Sequence, residues 1–240
     1  MSKALLEIAV DSVTGLDNAV KGGAQRIELC AALDVGGLTP SWGLMALAAK
    51  APLPVYAMIR PRAGSFVFDE VEEAVMTADI MAAREVGLAG VVLGASNPDG
   101  TLDAPRLARL IGYAKGMGVT LHRAFDLAPD ADAALEQAVE LGFERILSSG
   151  GQPKAMDGAE TLKRMVERAG DRLIVMPGSG IRAGNVLEIL SRTGAREVHA
   201  SGREPVSVSA DARSIAFGFQ SATAMETDEA AVREMREVLA

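Results

Sequence analysis

One cysteine, Cys30, is present in 240 residues. An intramolecular disulfide is therefore excluded, and so is a zinc site built from several thiolates of one chain. Aromatic residues make up only 4% of the chain, which leaves little ring surface for stacking sugars. No window approaches the roughly 20 apolar residues that a membrane-spanning helix requires. The start, Met1-Ser2-Lys3-Ala4-Leu5-Leu6-Glu7, meets an acid too early for the apolar stretch of a signal peptide. Positive charge is in deficit as well, with 24 Lys and Arg against 32 Asp and Glu, a formal net charge of −8. That balance repels phosphodiester backbones and anionic lipid heads, so neither nucleic acid nor membrane is expected as a partner. A soluble, cytoplasmic chain is expected.

What is present is a rhythm. Short β-type runs recur at Leu5–Val10, Arg26–Cys30, Val55–Pro61, Gly90–Gly94, Val119–Asp126, Arg145–Gly150, Arg172–Gly180 and Glu197–Ser201. Their spacing leaves room for one loop and one helix each. Asp69–Val86 is rich in the helix formers Ala, Glu and Met. Asp130–Leu141 opens on a capping Asp and stops at Gly142, Asp157–Ala169 stops at Gly170, and Leu44–Lys50 follows a hydroxyl cap in Thr39-Pro40-Ser41. Eight strand–helix units in this length predict an α/β TIM (β/α)8 barrel, one domain over 1–240. The alternative, an open doubly wound sheet, lacks its G-x-G-x-x-G fingerprint after the first strand. Residues 202–227 show little periodicity and read as an irregular loop after strand eight carrying a short helix. Residues 227–240 read as the closing helix, its pattern starting from Glu226.

Strand side chains alternate between lumen and helices. With Leu6, Ile8 and Val10 outward, Glu7 and Ala9 face the lumen; with Ile27 and Leu29 outward, Arg26, Glu28 and Cys30 do. The same period turns Met58, Arg60, Thr120, His122, Ala124, Asp126, Ser149, His199 and Ser201 inward and leaves Arg123 on the apolar side. A polar lumen is costly unless its groups pair or serve a ligand. Glu7, Glu28 and Arg60 are able to neutralise one another; equally, Cys30, Arg60, Asp126, Ser149 and Ser201 end their strands where TIM barrels place active sites. Gly178, Ser179 and Gly180 close strand seven, and Ser201-Gly202 follows strand eight. Loops in these positions often hold anions on backbone N–H groups. Arg60-Pro61-Arg62 adds two guanidinium groups, of which Arg62 is expected beside Arg60 at the mouth. A small anionic ligand is implied.

The stretches Gly22–Cys30, Gly36–Ser41, Met58–Arg62, Leu121–Asp126, Arg145–Gly150, Gly178–Ile181 and His199–Ser201, with Met76 and Asp79-Ile80, resemble the copper homeostasis protein CutC family in order along residues 5 to 202. The resemblance implies a TIM barrel, often a homodimer, and copper(I) binding through cysteine, for which only Cys30 is present. Copper(I) prefers thiolate and thioether, so Cys30 has to recruit Met58, His122 or His199, or pair with Cys30 of a second subunit, against which its inward direction speaks.

The competing reading is an enzyme of lyase or isomerase type acting on a small anionic or phosphorylated metabolite. Glu7 and Glu28 would be general acid and base, His122 a proton shuttle and Arg60 a stabiliser of negative charge, with Asp126 at the same rim. No lumen-facing lysine offers a Schiff base. A third reading places a divalent metal on Glu7, Glu28, His122 and His199, without a spacing motif to support it.

Overall fold

The structure is a computed structural model that describes residues 4–206, 212–219, 221 and 223–240. Strands β1 (Leu5–Val10), β2 (Arg26–Leu29), β3 (Val55–Met58), β4 (Gly90–Leu93), β5 (Gly118–Leu121), β6 (Arg145–Ser148), β7 (Ile174–Pro177) and β8 (Glu197–Ala200) pair in parallel in the order β7-β6-β5-β4-β3-β2-β1-β8. Strands β7 and β8 lie side by side and no ladder joins them among the described residues. The sheet is thus a nearly closed (β/α)8 barrel. Helices α1 (Val13–Gly22), α2 (Trp42–Ala48), α3 (Glu70–Glu85), α4 (Ala104–Tyr113), α5 (Ala131–Leu141), α6 (Ala159–Ala169) and α7 (Ala183–Thr193) alternate with the strands. None of the described helices is long and apolar enough to cross a membrane.

Local chemistry accounts for the helix ends. Ser12 accepts from the Gly15 N–H at the start of α1, Asp130 caps α5, and Asp69 and Glu72 form a reciprocal capping box on α3. Gly23 and Gly142 end α1 and α5 in the left-handed conformation. The outward set Leu6, Ile8, Val10, Ile27, Leu29, Val91 and Ile146 packs with the helices into one apolar shell around the barrel. A second, small cluster of Cys30, Tyr56, Met58 and Val92 lies inside the lumen.

Several strands end earlier than their apolar runs suggest. The fifth stops at Leu121, because His122 Nδ1 accepts from the Ala124 N–H and starts a 3-10 turn over Arg123–Leu127. Arg123 therefore does not follow the strand alternation onto the apolar side; it turns back to Asp126 and Ser149. The region expected as an irregular loop contains an antiparallel hairpin, β9 (Arg203–Val206) with β10 (Ala224–Thr227), and the short helix α8 (Ala212–Ala216). Its residues 207–211, 220 and 222 lie outside the described set. The closing helix α9 runs Glu229–Val238, since Asp228 rather than Glu226 caps it.

Candidate active site in the barrel lumen

At the N-terminal end of the lumen every buried charge has a partner. Arg26 donates through Nε to Glu7 and through Nη2 to Glu197 Oε2. Arg145 reaches Glu197 at 3.3 Å, Thr120 Oγ1 at 3.2 Å and Glu144 at 3.1 Å. Both guanidinium groups sit over the Tyr56 ring, 5.7 and 5.1 Å from its centroid, a cation–π arrangement. Tyr56, Gly90 and Gly118 form one row across β3, β4 and β5. A Cβ at Gly90 or Gly118 would stand 2.2 or 2.1 Å from Tyr56 atoms, so only glycine leaves room for the ring to lie flat there.

One layer higher stand Glu7, His199 and Glu28. Glu7 Oε1 lies 2.8 Å from His199 Nδ1, and His199 Nε2 lies 3.8 Å from Glu28 Oε2. Glu28 Oε1 is buried and has no partner among the described residues. Burial opposes the charge on Glu7, yet its bond to His199 and the Arg26 charge hold its carboxyl down to about 2. For Glu28 burial wins, reinforced by Glu7, and its carboxyl is pushed up despite the His199 charge. Burial also opposes the His199 charge, but Glu28 and Glu7 outweigh it and raise the imidazole. Environment thus separates two carboxylates on one wall, the pattern that assigns acid and base roles.

Cys30 follows Glu28 by two residues on the same inward face, just past the end of β2. Its thiol donates to Glu28 Oε2 at 3.6 Å, and burial followed by the Glu28 charge pushes it well above the ordinary thiol range. Met58 shares the small cluster; a Cβ at Gly37 would meet Cys30 Sγ at 3.0 Å and Met58 Cε at 3.5 Å.

The C-terminal end is different. Arg60 is 5% exposed, and its Nη atoms donate to the carbonyls of Val35, Gly37 and Gly64. Phe66 lies beneath it at 4.8 Å and touches the His122 ring, also at 4.8 Å. Asp126 is consumed by the Ser148 and Ser149 hydroxyls, the N–H groups of Ser149 and Gly151, and Arg123. It braces the rim and has no free oxygen for proton transfer. Ser179 takes the strained left-handed conformation at φ 79° and donates to the Pro153 carbonyl. No acceptor among the described residues meets the Ser179 or Gly180 N–H, just before α7.

A cavity of about 770 Å³ opens at this end. It brings together Glu28, Met58, Arg60, His122, Asp126 and His199 of the residues expected from sequence, with Ser179, Gly180, Ser201 and Gly202 at the rim. Glu7, Cys30 and Gly178 stand behind its wall. Gly178 is tied to the Ser148 carbonyl, and a Cβ there would strike Leu147 at 2.4 Å. Arg62 corrects the expected mouth: it pairs with Glu72 and with the Ser65 and Val67 carbonyls, and stacks on Phe68, away from the cavity. The expected mutual neutralisation of Glu7, Glu28 and Arg60 is also corrected, since the acids face Arg26 and His199 instead. Alternation carried two residues back from Leu147 and His199 would have found Arg145 and Glu197. Phe66, on a loop, leaves no periodic signal.

Ligand atoms of Glu7, Glu28 and His199 lie within 4.8 Å of one another, a spacing that a metal ion can bridge. Both Glu7 oxygens are, however, engaged by Arg26 and His199. His122 is not in this group.

Fold and lumen together define a (β/α)8-barrel protein with a polar pocket at the C-terminal ends of its strands. The chain belongs to the CutC family, whose profile matches residues 4–204. A CutC family protein of Rhizobium meliloti (strain 1021) is 53% identical over 238 residues, 98% of this chain and 96% of the relative. One from Caulobacter vibrioides (strain NA1000 / CB15N) is 51% identical over 234 residues, 97% of this chain and 95% of the relative. The crystal structure of CutC from Streptococcus agalactiae, named for copper homeostasis, superposes with a TM-score of 0.79 at 33% identity, covering 82% of this chain and 98% of that one.

Proposed function

We propose that this member of the CutC family is an acid–base enzyme, of lyase or isomerase type, acting on a small organic anion. One observation carries the reading: His199, fixed from behind by Glu7, faces Glu28 across a cavity wall in which Glu28 keeps a free oxygen. In the forward step a proton leaves a substrate carbon for Glu28, and the C–H electron pair moves into the adjacent carbonyl to give an enolate. His199, charged and steadied by Glu7, returns a proton from Nε2 to the neighbouring carbon or leaving group. The unmet backbone N–H groups of Ser179 and Gly180, beside the start of α7, offer the substrate's anionic end a seat.

Solvent-deuterium incorporation across a library of small carboxylates and phosphates tests this. Exchange into one compound class, lost in Glu28→Gln, is expected. Complete silence across the library, or exchange indifferent to Glu28→Gln, overturns the reading.

A second reading follows from the name of the Streptococcus agalactiae relative and from the meeting of two soft side chains, Cys30 and Met58, beside Gly37. These two would hold copper(I) as cargo. The raised thiol opposes the thiolate that such binding needs, and Cys30 does not line the cavity, so this reading ranks second. Anaerobic copper(I) titration against a chromogenic chelator separates wild type from Cys30→Ser if it holds. Equal weak binding by both removes it.

A further inference from the structure

We propose that Arg60 and His122 form a two-donor seat for a carbonyl or carboxylate oxygen of the substrate, which makes the substrate class a small carbonyl-bearing carboxylic acid. The catalytic half of this inference rests on the acid–base reading above; the binding half does not.

The first support is an unbalanced charge. Arg60 is buried, and among the described residues no Asp or Glu forms an ion pair with it, whereas Arg26 and Arg145 at the other end each have carboxylate partners. Among the described residues its guanidinium bonds go to three carbonyl oxygens, which position the group without neutralising it, and the buried Nε meets no acceptor. A buried cation held in place and left uncompensated calls for an anionic partner.

The second support is the histidine. His122 is 3% exposed; its Nδ1 accepts from the Ala124 N–H at 3.2 Å, so the remaining proton of the neutral ring sits on Nε2. That Nε2 is also buried, with no partner among the described residues. Arg60 and His122 flank the same Phe66 ring and line the same cavity as Glu28. Burial and the Arg60 charge push the imidazole down to about 3, so it stays neutral at physiological pH. His122 therefore differs from the proton shuttle expected from sequence. Its free nitrogen already bears a proton, and the other is spent on the backbone.

Two converging needs then meet one chemistry. A substrate carbonyl oxygen that accepts from Nε of Arg60 and Nε2 of His122 gains charge when the proton of the neighbouring C–H bond passes to Glu28, the C–H pair becomes the enolate C=C bond and the carbonyl π pair moves onto that oxygen. Gly94 keeps the ring in place, since a Cβ there would stand 2.5 Å from His122 Cε1.

The chain contains two histidines, His122 and His199, so 15N-histidine labelling gives two assignable rings. Oxalate, a planar mimic of an enolised acid, is the probe, with sulfate at equal ionic strength as control. The expected result is a His122 ring that remains neutral and Nε2-protonated from pH 5 to 8, and whose Nε2 signal shifts on oxalate but not on sulfate. Arg60→Met and His122→Asn, which keeps an acceptor for Ala124, each weaken oxalate about tenfold or more. His122→Gln, which restores a donor near Nε2, recovers binding. A cationic His122 in this range, an oxalate-blind Nε2 signal, or wild-type affinity in folded Arg60→Met overturns the proposal. If Arg60→Met does not fold, the wild-type titration and His122→Gln decide alone. Oxalate binding without deuterium exchange in any compound fails the acid–base reading only. Exchange dependent on Glu28 with an oxalate-blind His122 fails the donor seat only.

Discussion

The two ends of the lumen bury charge to a similar degree and treat it oppositely. At the N-terminal end Arg26, Arg145, Glu7 and Glu197 satisfy one another over the Tyr56 ring. At the C-terminal end Arg60 Nε, His122 Nε2 and Glu28 Oε1 are buried and have no partner among the described residues. Burial alone therefore does not distinguish a structural polar group from a functional one; satisfaction does. A fold that leaves three such atoms unpaired in one cavity sacrifices stability there, the signature of a site kept ready for something else.

The comparison breaks first, if it breaks, at Arg26. Arg26→Leu removes the cation that Glu7 and Glu197 share, leaving only His199 to Glu7 and Arg145 to Glu197, and should cost about 3–5 kcal/mol in urea unfolding at pH 7. Arg60→Met removes a buried cation that has no counter-charge and should change stability by about 1 kcal/mol or less, of either sign. Equal losses in the two variants would erase the distinction.

Acid titration gives the next effect. Glu7 is held down to about 2, so its contribution is present above the unfolded carboxyl value and disappears as pH falls from about 4.5 towards 2. Wild type should lose a few kcal/mol over that window, and Glu7→Gln should show a flatter profile from a lower starting stability. Smaller again is Gly118→Ala, whose Cβ collides with the Tyr56 hydroxyl. A loss of about 1–3 kcal/mol is expected, while Gly112→Ala on α4, with nothing near its Cβ, should be neutral or slightly stabilising.

The smallest effect should be a gain. Glu28 is raised, so the stability it allows is present below about 4.5 and lost as pH climbs through its folded value. Glu28→Gln escapes that loss and should be more stable than wild type by about 1 kcal/mol at pH 8, in thermal or urea melts, as deuterium exchange falls. A destabilised, still active Glu28→Gln would place Glu28 with the structural end instead.

Much of this was legible in the residues. Period-two alternation put Glu7, Glu28, Arg60, His122 and His199 on one face, and all but Glu7, which sits just behind His199, reach the cavity. Alternation assigns a face, however, and says nothing of partners. Arg60 and Arg62 look equivalent across Pro61, yet Arg62 is drawn out by Glu72 at the start of α3 while loop carbonyls hold Arg60 inside. Cys30 points inward as expected and stops short of the pocket, with Gly37 and Leu33 of the following loop and Met58 packed against it. The tautomer of His122 depends on a backbone turn that begins where its strand was expected to continue. Such choices are made by loops, whose conformations have no period to read.

Tyr56, laid flat across Gly90 and Gly118 beneath two guanidinium groups, has one consequence for traffic. It stoppers the barrel, and neither it nor Arg26 nor Arg145 borders the cavity. The cavity is bordered instead by the loops that follow β2, β3, β5 and β7 and by the start of the hairpin after β8, all at the C-terminal end. Any ligand of this cavity therefore meets the barrel from its C-terminal end, and the N-terminal end serves as its closed floor.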